Sequence, residues 1–318
     1  MKPSLSRRSF CRSTLLGGAF ASAFATALPT ALPAVEPFPH SPLARLRLGL
    51  AAYSFRDFFK EGKRKAGAKL PGDNAIDMFG FIDFCAEHRC EGAELTSYYF
   101  PPDADDAYFL KVKRHAFLRG VTISGSAVGN TFTHPPGPKR DQEVASVKKW
   151  IDRAALMGAP HIRVFAGGMQ AGTTPAEARG HCVSAMEEVG DYAAKKGVFL
   201  GIENHGGIVE DAEGLLAIVK AVKNPWVGIN LDTGNFHTIN PFDDLERCAP
   251  YAVNVQYKAE MKSKGESPKP SDMPRVMNLL RKSGYQGFVT LEYESAEDPW
   301  QAVPRILDSM RAELARPV

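Results

Sequence analysis

One repeated unit constrains this chain more than any other feature. From residue 46 onward, a short apolar or β-branched run gives way to a loop and then to a helical stretch. The runs are Leu46–Ser54, Gly92–Thr96, Val121–Ala127, His161–Phe165, Val198–Glu203, Val227–Asp232, Ala252–Gln256 and Phe288–Glu292. A run that is apolar almost throughout, rather than at every second residue, is a strand buried on both faces, as parallel strands are. Helical spacing fills Asn74–His88, Asp141–Met157, Thr174–Lys196 and Pro299–Leu314. Thr174-Pro175 reads as a cap followed by proline at the first helical position, and the glycines at 120, 158, 197 and 284 read as helix stops. Eight such units in fewer than 300 residues predict right-handed crossovers and a closed (β/α)8 TIM barrel, α/β in class and single in domain. An open, doubly wound sheet is the competing arrangement. No G-x-G-x-x-G follows the first run, where a dinucleotide fold would carry it. The irregular segments Lys60–Asn74 and Lys262–Ser271 both follow strands, which would set them on the active-site side of a barrel.

The barrel does not need the first 34 residues. Arg7-Arg8-Ser9-Phe10 precedes an apolar run from Ser13 to about Leu28, then small residues and prolines up to Ala34. This is the order of a secretory signal in its twin-arginine form, so residues 1–34 are expected to be a signal peptide and 35–318 the barrel. The run is rich in Ala, Gly and Ser and falls short of the ~20 strongly apolar residues of a spanning helix. The expected location is periplasmic or secreted, by export of the folded protein, with no lasting membrane anchor. Of 39 Lys and Arg, four (Lys2, Arg7, Arg8, Arg12) fall in this segment, which has no acid, so the remainder carries 35 basic and 36 acidic residues. That balance gives neither the basic face of a nucleic-acid binder nor a polybasic membrane surface. Cys85, Cys90, Cys182 and Cys248 form no CxxC pair and read as small buried hydrophobes. Cys85 and Cys90 are close enough in sequence for a disulfide to stay open.

In a barrel of parallel strands the active site lies at the strands' C-terminal ends. The fifth run ends Ile202-Glu203-Asn204-His205, the sixth Leu231-Asp232-Thr233-Gly234-Asn235-Phe236-His237, the seventh Val255-Gln256-Tyr257-Lys258, and the eighth Leu291-Glu292-Tyr293-Glu294. Four successive apolar strands thus end in a side chain able to ligate a metal. Taken singly, each has an ordinary alternative: a turn cap for Asp232, a salt bridge for either Glu. Together, without a cation, they would gather charge beside an apolar core. Glu203, Asp232, Gln256 and Glu292 are therefore expected to hold one divalent ion. Oxygen-rich donors favour Mn²⁺ or Mg²⁺, with Zn²⁺ or Co²⁺ also open.

These four strand ends resemble the xylose isomerase-like barrels of the sugar-phosphate isomerase/epimerase superfamily, and the resemblance runs from Leu46 to the end of the chain. Glu203, Asp232 and Glu292 match that family's metal carboxylates. Its strand-seven pattern is His-x-Lys, and here Gln256-Tyr257-Lys258 stands in its place. Its strand-six His falls at Asn235, with His237 two residues on. The resemblance implies an isomerase or epimerase that removes a proton beside a sugar carbonyl through an enediolate, with Glu203 and Glu292 as the proton-transferring pair. Substrate contacts are expected from His205, Lys258, Asn235, His237, Glu94 and Tyr53, with Tyr53 and Trp300 also counted toward an aromatic wall. Lys258 has a plainer alternative in a salt bridge to Glu260. Three other functions compete: a lyase or hydrolase eliminating from a 3-keto-glycoside in the periplasm, a non-catalytic sugar-binding barrel, and an abasic-site endonuclease, against which the charge speaks. A small sugar is the expected partner, and self-association stays open, as do the sugar's identity, the carbon attacked and any phosphate on it.

Overall fold

In the computed structural model, residues 35–39, 45–62 and 74–316 are described, all within a unit spanning Leu32–Val318. The expected signal at 1–34 and most of the Lys60–Asn74 loop lie outside the described residues. Eight strands close into a parallel barrel: β1 (Leu46–Ala51), β2 (Gly92–Thr96), β3 (Thr122–Ala127), β4 (His161–Val164), β5 (Phe199–Glu203), β6 (Val227–Asp232), β7 (Ala252–Tyr257) and β8 (Gly287–Leu291). Each pairs with its neighbours in chain order, and β8 returns to β1 through a register that sets Leu48 beside Val289 and Leu50 beside Leu291. That last pairing settles closed barrel against open sheet.

Helices α1 (Met78–Glu87), α2 (Asp106–Leu118), α3 (Pro138–Met157), α4 (Pro175–Lys196), α5 (Ala212–Val219), α6 (Pro241–Cys248), α7 (Met273–Lys282) and α8 (Pro299–Leu314) form the outer ring. Their apolar faces, with Phe81, Val147, Ile151, Met186, Leu215, Leu280 and Leu307 fully buried, pack on the outer faces of the strands. α4 starts where the sequence places it: the Thr174 hydroxyl accepts from the Glu177 amide, the Glu177 carboxylate accepts from the Thr174 amide, and Pro175 follows the cap. It stops at Gly197, whose φ of 69° few other residues adopt cheaply. Helices α2, α5, α6 and α7 are additions to the four stretches read from the sequence. The segment expected to be irregular at Lys262–Ser271 instead returns as a two-stranded ribbon, Glu260–Met261 against Lys269–Pro270.

The barrel interior departs from the usual apolar filling. Register slips by one residue between Ala93 and Glu94 on β2 against β3, and between Ile229 and Asn230 on β6 against β7. Such irregularities re-aim side chains. Here Glu94 and Asn230 each meet Asn254 of β7 by a hydrogen bond inside the barrel. Room for this layer comes in part from Gly125, where a Cβ would stand 1.9 Å from the ring of His161. All four described cysteines are free and buried, Cys85 and Cys90 included. No helix among the described residues is long and apolar enough to cross a membrane.

Candidate active site at the barrel mouth

Inward-facing positions on parallel strands come at every second residue. On β4 these are His161 and Arg163, on β6 Asn230 and Asp232, and on β7 Asn254 and Gln256, continuing to Lys258 beyond the strand. All seven are buried. They stack as two polar layers, and the upper one holds the strand-end residues.

In the lower layer, Glu94 is completely buried. Its carboxylate accepts from Asn254 Nδ2 at 2.7 Å and from Gln256 Nε2 at 2.6 Å. Burial, reinforced by the charge of Glu292, pushes its pKa up to about 7 despite these donors. His161 lies 3.9 Å from Glu94. Burial drives the ring down to about 4, so it is neutral at pH 7, and at that distance Glu94 is no hydrogen-bond partner that would hold a proton on it. Glu94 thus braces Gln256 rather than reaching the mouth.

The upper layer gathers the charges. Glu203 ends β5 with 3 % of its side chain exposed, held by Arg163 Nε at 2.8 Å and by Asn235 Nδ2 at 2.9 Å. The Arg163 contact is an attraction between charges, because its N–H does not point along it. Arg163 also donates to the Val128 carbonyl and lies 3.9 Å over the Phe165 ring. Lys258 Nζ reaches Glu292 at 2.5 Å and Asp232 at 3.3 Å and bonds Glu294 as well. Its partners are these three, and Glu260, the alternative partner, is not among them. Asp232 accepts from the Gly234 amide at 2.8 Å through Oδ1, while its buried Oδ2 has no hydrogen bond.

Burial raises the pKa of Glu203 against the pull of Arg163, and raises that of Asp232 well above the carboxylate range against the pull of Lys258. For Glu292 burial acts the same way, but Lys258 and Arg163 outweigh it, and its carboxyl stays ionised below its ordinary value. Burial opposes the charge on Lys258, and Asp232, Glu292 and Glu294 overcome it.

The four expected metal ligands are set for other partners. Gln256 offers no free carbonyl: its Oε1 accepts from Asn230 at 2.6 Å, and its amide nitrogen faces Glu94 and, at 3.3 Å, Glu292. Turning the amide over would aim its oxygen at two carboxylates. Glu203 faces Arg163, while Asp232 and Glu292 face Lys258. No group of three or more His, Cys, Asp or Glu among the described residues is arranged to hold a metal ion. The residues therefore do not fit the divalent ion read from the strand ends. The sequence reading weighed oxygen donors, counted Lys258 as a substrate contact and did not single out Arg163.

Of the expected substrate residues, Asn235 holds Glu203 and Lys258 holds the other carboxylates. Both line a hollow of about 310 Å³ with Gly234, His237 and Glu294, at the lower end of the ~300–1,000 Å³ of small-ligand sites. His205 is exposed and packs on Phe165, ring centres 4.7 Å apart, beside a second hollow of about 300 Å³. Tyr53 stands on the rim near Glu294, whose charge adds to burial in raising its hydroxyl pKa. Trp300, half-buried near the start of α8, packs on Phe55, Phe58 and Phe84 in an aromatic cluster. Arg163, His161, Asn230, Asn254 and Glu294 were not singled out from the sequence. The available signal was polar residues two apart inside apolar runs, His161-x-Arg163 and Asn254-x-Gln256.

A family model, the xylose isomerase-like TIM barrel, matches residues 82–311, most of the chain. The chain belongs to this family. Solved structures of similar shape include D-psicose 3-epimerase from Clostridium cellulolyticum H10, 15 % identical with a TM-score of 0.67 over 84 % of this chain and 99 % of that one. The 3-keto-D-glucoside 4-epimerase from E. coli is 16 % identical, with a TM-score of 0.62 over 84 % and 100 %. A xylose isomerase domain protein from Planctomyces limnophilus is 17 % identical, with a TM-score of 0.62 over 87 % and 99 %. At these identities the shared barrel is what the likeness shows. No curated protein matches by sequence. This chain's mouth holds two buried cations, Arg163 and Lys258, among its carboxylates.

Proposed function

We propose that this chain is a sugar isomerase or epimerase that moves a proton on a carbon beside a carbonyl. One observation carries the reading: two buried carboxylates at the barrel mouth, Glu203 at the end of β5 and Glu292 just past β8, have their proton affinities shifted in opposite directions, that of Glu203 raised by burial and that of Glu292 lowered by Lys258. A reaction that takes a proton from carbon and returns it uses one ionised base and one carboxyl able to give a proton. Glu292, kept ionised by Lys258, suits removal of the proton. Glu203, raised by burial and oriented by Asn235 and Arg163, suits its return. The C–H electron pair becomes the enediolate's double bond, and the carbonyl oxygen takes the charge. Return to the opposite face of the same carbon is epimerisation; return to the adjacent carbon, with the former carbonyl oxygen taking a proton and the neighbouring hydroxyl giving one up to become the new carbonyl, is isomerisation. Metal dependence was expected from the strand ends, but the partners of those residues argue against it, and no step here passes through a metal.

The epimerase neighbours, which act on D-psicose and on a 3-keto-D-glucoside, support carbonyl sugars as the substrate class. The second of them, with the export signal read in residues 1–34, keeps one further reading open: a 3-keto-glycoside deprotonated in the periplasm, with loss of the aglycone in place of proton return. Both are tested by incubating the protein with keto-hexoses and 3-keto-glucosides in D₂O and following the α-carbon proton by NMR. Exchange is expected, with inverted product for the epimerase and free aglycone for the lyase. No exchange with any of these sugars, from folded protein, would leave a barrel that binds without converting.

A further inference from the structure

We propose that in this chain Lys258 takes the place of a divalent cation: its ammonium is the fixed positive charge that receives the substrate's carbonyl oxygen, and the site turns over without a metal. The inference rests on the proton-transfer reading for what Lys258 does, but not for whether a metal is held.

Three observations converge on it. The Lys258 ammonium contacts Asp232, Glu292 and Glu294 at once, so the point that a cation bound by two of the expected ligands would occupy already holds one. The third carboxylate, Glu203, is neutralised by Arg163. The fourth residue, Gln256, is locked by Asn230 and Glu94 with its N–H₂ toward Glu292, and so donates where a ligand would accept. A metal would have to expel a lysine that is only 6 % exposed, turn over a buried amide and break an ion pair. Two buried cations among the strand-end carboxylates also offset part of the charge that would otherwise call for a bound ion.

The same geometry equips Lys258 for chemistry. An ammonium has three N–H donors. Two are engaged, by Glu292 and Glu294. Asp232 Oδ2, 3.3 Å away, accepts no hydrogen bond, so the third can turn to an oxygen entering the hollow that Lys258 lines with Asn235 and Glu294. As a carboxylate takes the α-proton, negative charge grows on that oxygen, and a preplaced ammonium in a site of low polarity stabilises it without solvent rearrangement. Nothing is oxidised or reduced. The electron pair returns from the enediolate to carbon, and the proton it takes up comes from the second carboxyl, Glu203, while the one removed stays on Glu292 until it exchanges with solvent.

The test begins with the full chain stripped by chelator and titrated with Mn²⁺, free Mn²⁺ being read by its electron paramagnetic resonance signal. The wild type should leave the signal undiminished into the millimolar range, and Lys258→Met combined with Gln256→His should bind Mn²⁺ at least about 100-fold more tightly than wild type. One tightly bound Mn²⁺ per wild-type chain, lost in Glu292→Ala, would overturn the proposal whatever the double variant does. Lys258→Met alone should slow proton exchange roughly 100- to 1,000-fold, with chelator leaving wild-type exchange unchanged. Wild-type exchange that stops with chelator and returns with Mn²⁺ would equally overturn it. An absence of exchange from every sugar strikes instead at the proton-transfer reading, and the Mn²⁺ titration still decides whether the cation has been replaced.

Discussion

Arg163 and Glu203 form an ion pair inside the barrel mouth, Nε to Oε2 at 2.8 Å, with 4 % and 3 % of their side chains exposed. Neither has enough water to be stable alone. Arg163→Met should therefore destabilise the protein by about 3–5 kcal/mol in urea unfolding, because Glu203 is left buried without its cation. Adding Glu203→Gln should restore part of the loss. A single variant within about 1 kcal/mol of wild type would mean that water already screens the pair.

Proton exchange should respond to each carboxylate with the shape kept. Glu203→Gln and Glu292→Gln are each expected to slow it by roughly 100- to 10,000-fold, with sugar binding little changed. Saturation kinetics in D₂O separate the two quantities. A rise in KM with undiminished kcat would reassign the residue to binding.

Two buried groups of the lower layer set opposing pH slopes. His161 titrates at about 4 when folded against 6.5 for an ordinary histidine, so its contribution is complete above 6.5 and lost as pH falls toward 4. Glu94 titrates at about 7 against 4.5, so its contribution is complete below 4.5 and lost as pH rises through 7. Between 4.5 and 6.5 the two oppose each other. Glu94→Gln removes one slope, so the variant's stability should rise with pH relative to wild type by roughly 1–3 kcal/mol across that window. Urea midpoints at three pH values check this, and parallel curves for the two proteins would refute it.

The tight seat of His161 yields a packing prediction. Gly125→Ala would press a methyl to within 1.9 Å of the imidazole. Overpacking of this kind costs about 1–3 kcal/mol or more. In a His161→Ala background the same change should be nearly neutral or stabilising, and thermal melts of the four proteins give the coupling directly.

The strand ends show how far a one-dimensional reading reaches. That Glu203, Asp232, Gln256 and Glu292 share one mouth follows from apolar runs ending in polar residues, since parallel strands in a barrel all point the same way. What those four residues face does not follow. Lys258 reads as a substrate contact or a partner of Glu260, and Arg163, sitting inside an apolar run, draws no notice.

Local patterning by itself determined the eight units, the caps of α4 and which residues end the strands, because burial periodicity and turn chemistry act over a few residues. Only the tertiary structure decided that Glu94 of β2 pins Gln256 of β7, that Arg163 answers Glu203, and that Lys258 stands among three carboxylates. These contacts join residues as many as 162 positions apart, and they depend on barrel closure and on single-residue register slips, which no local pattern encodes.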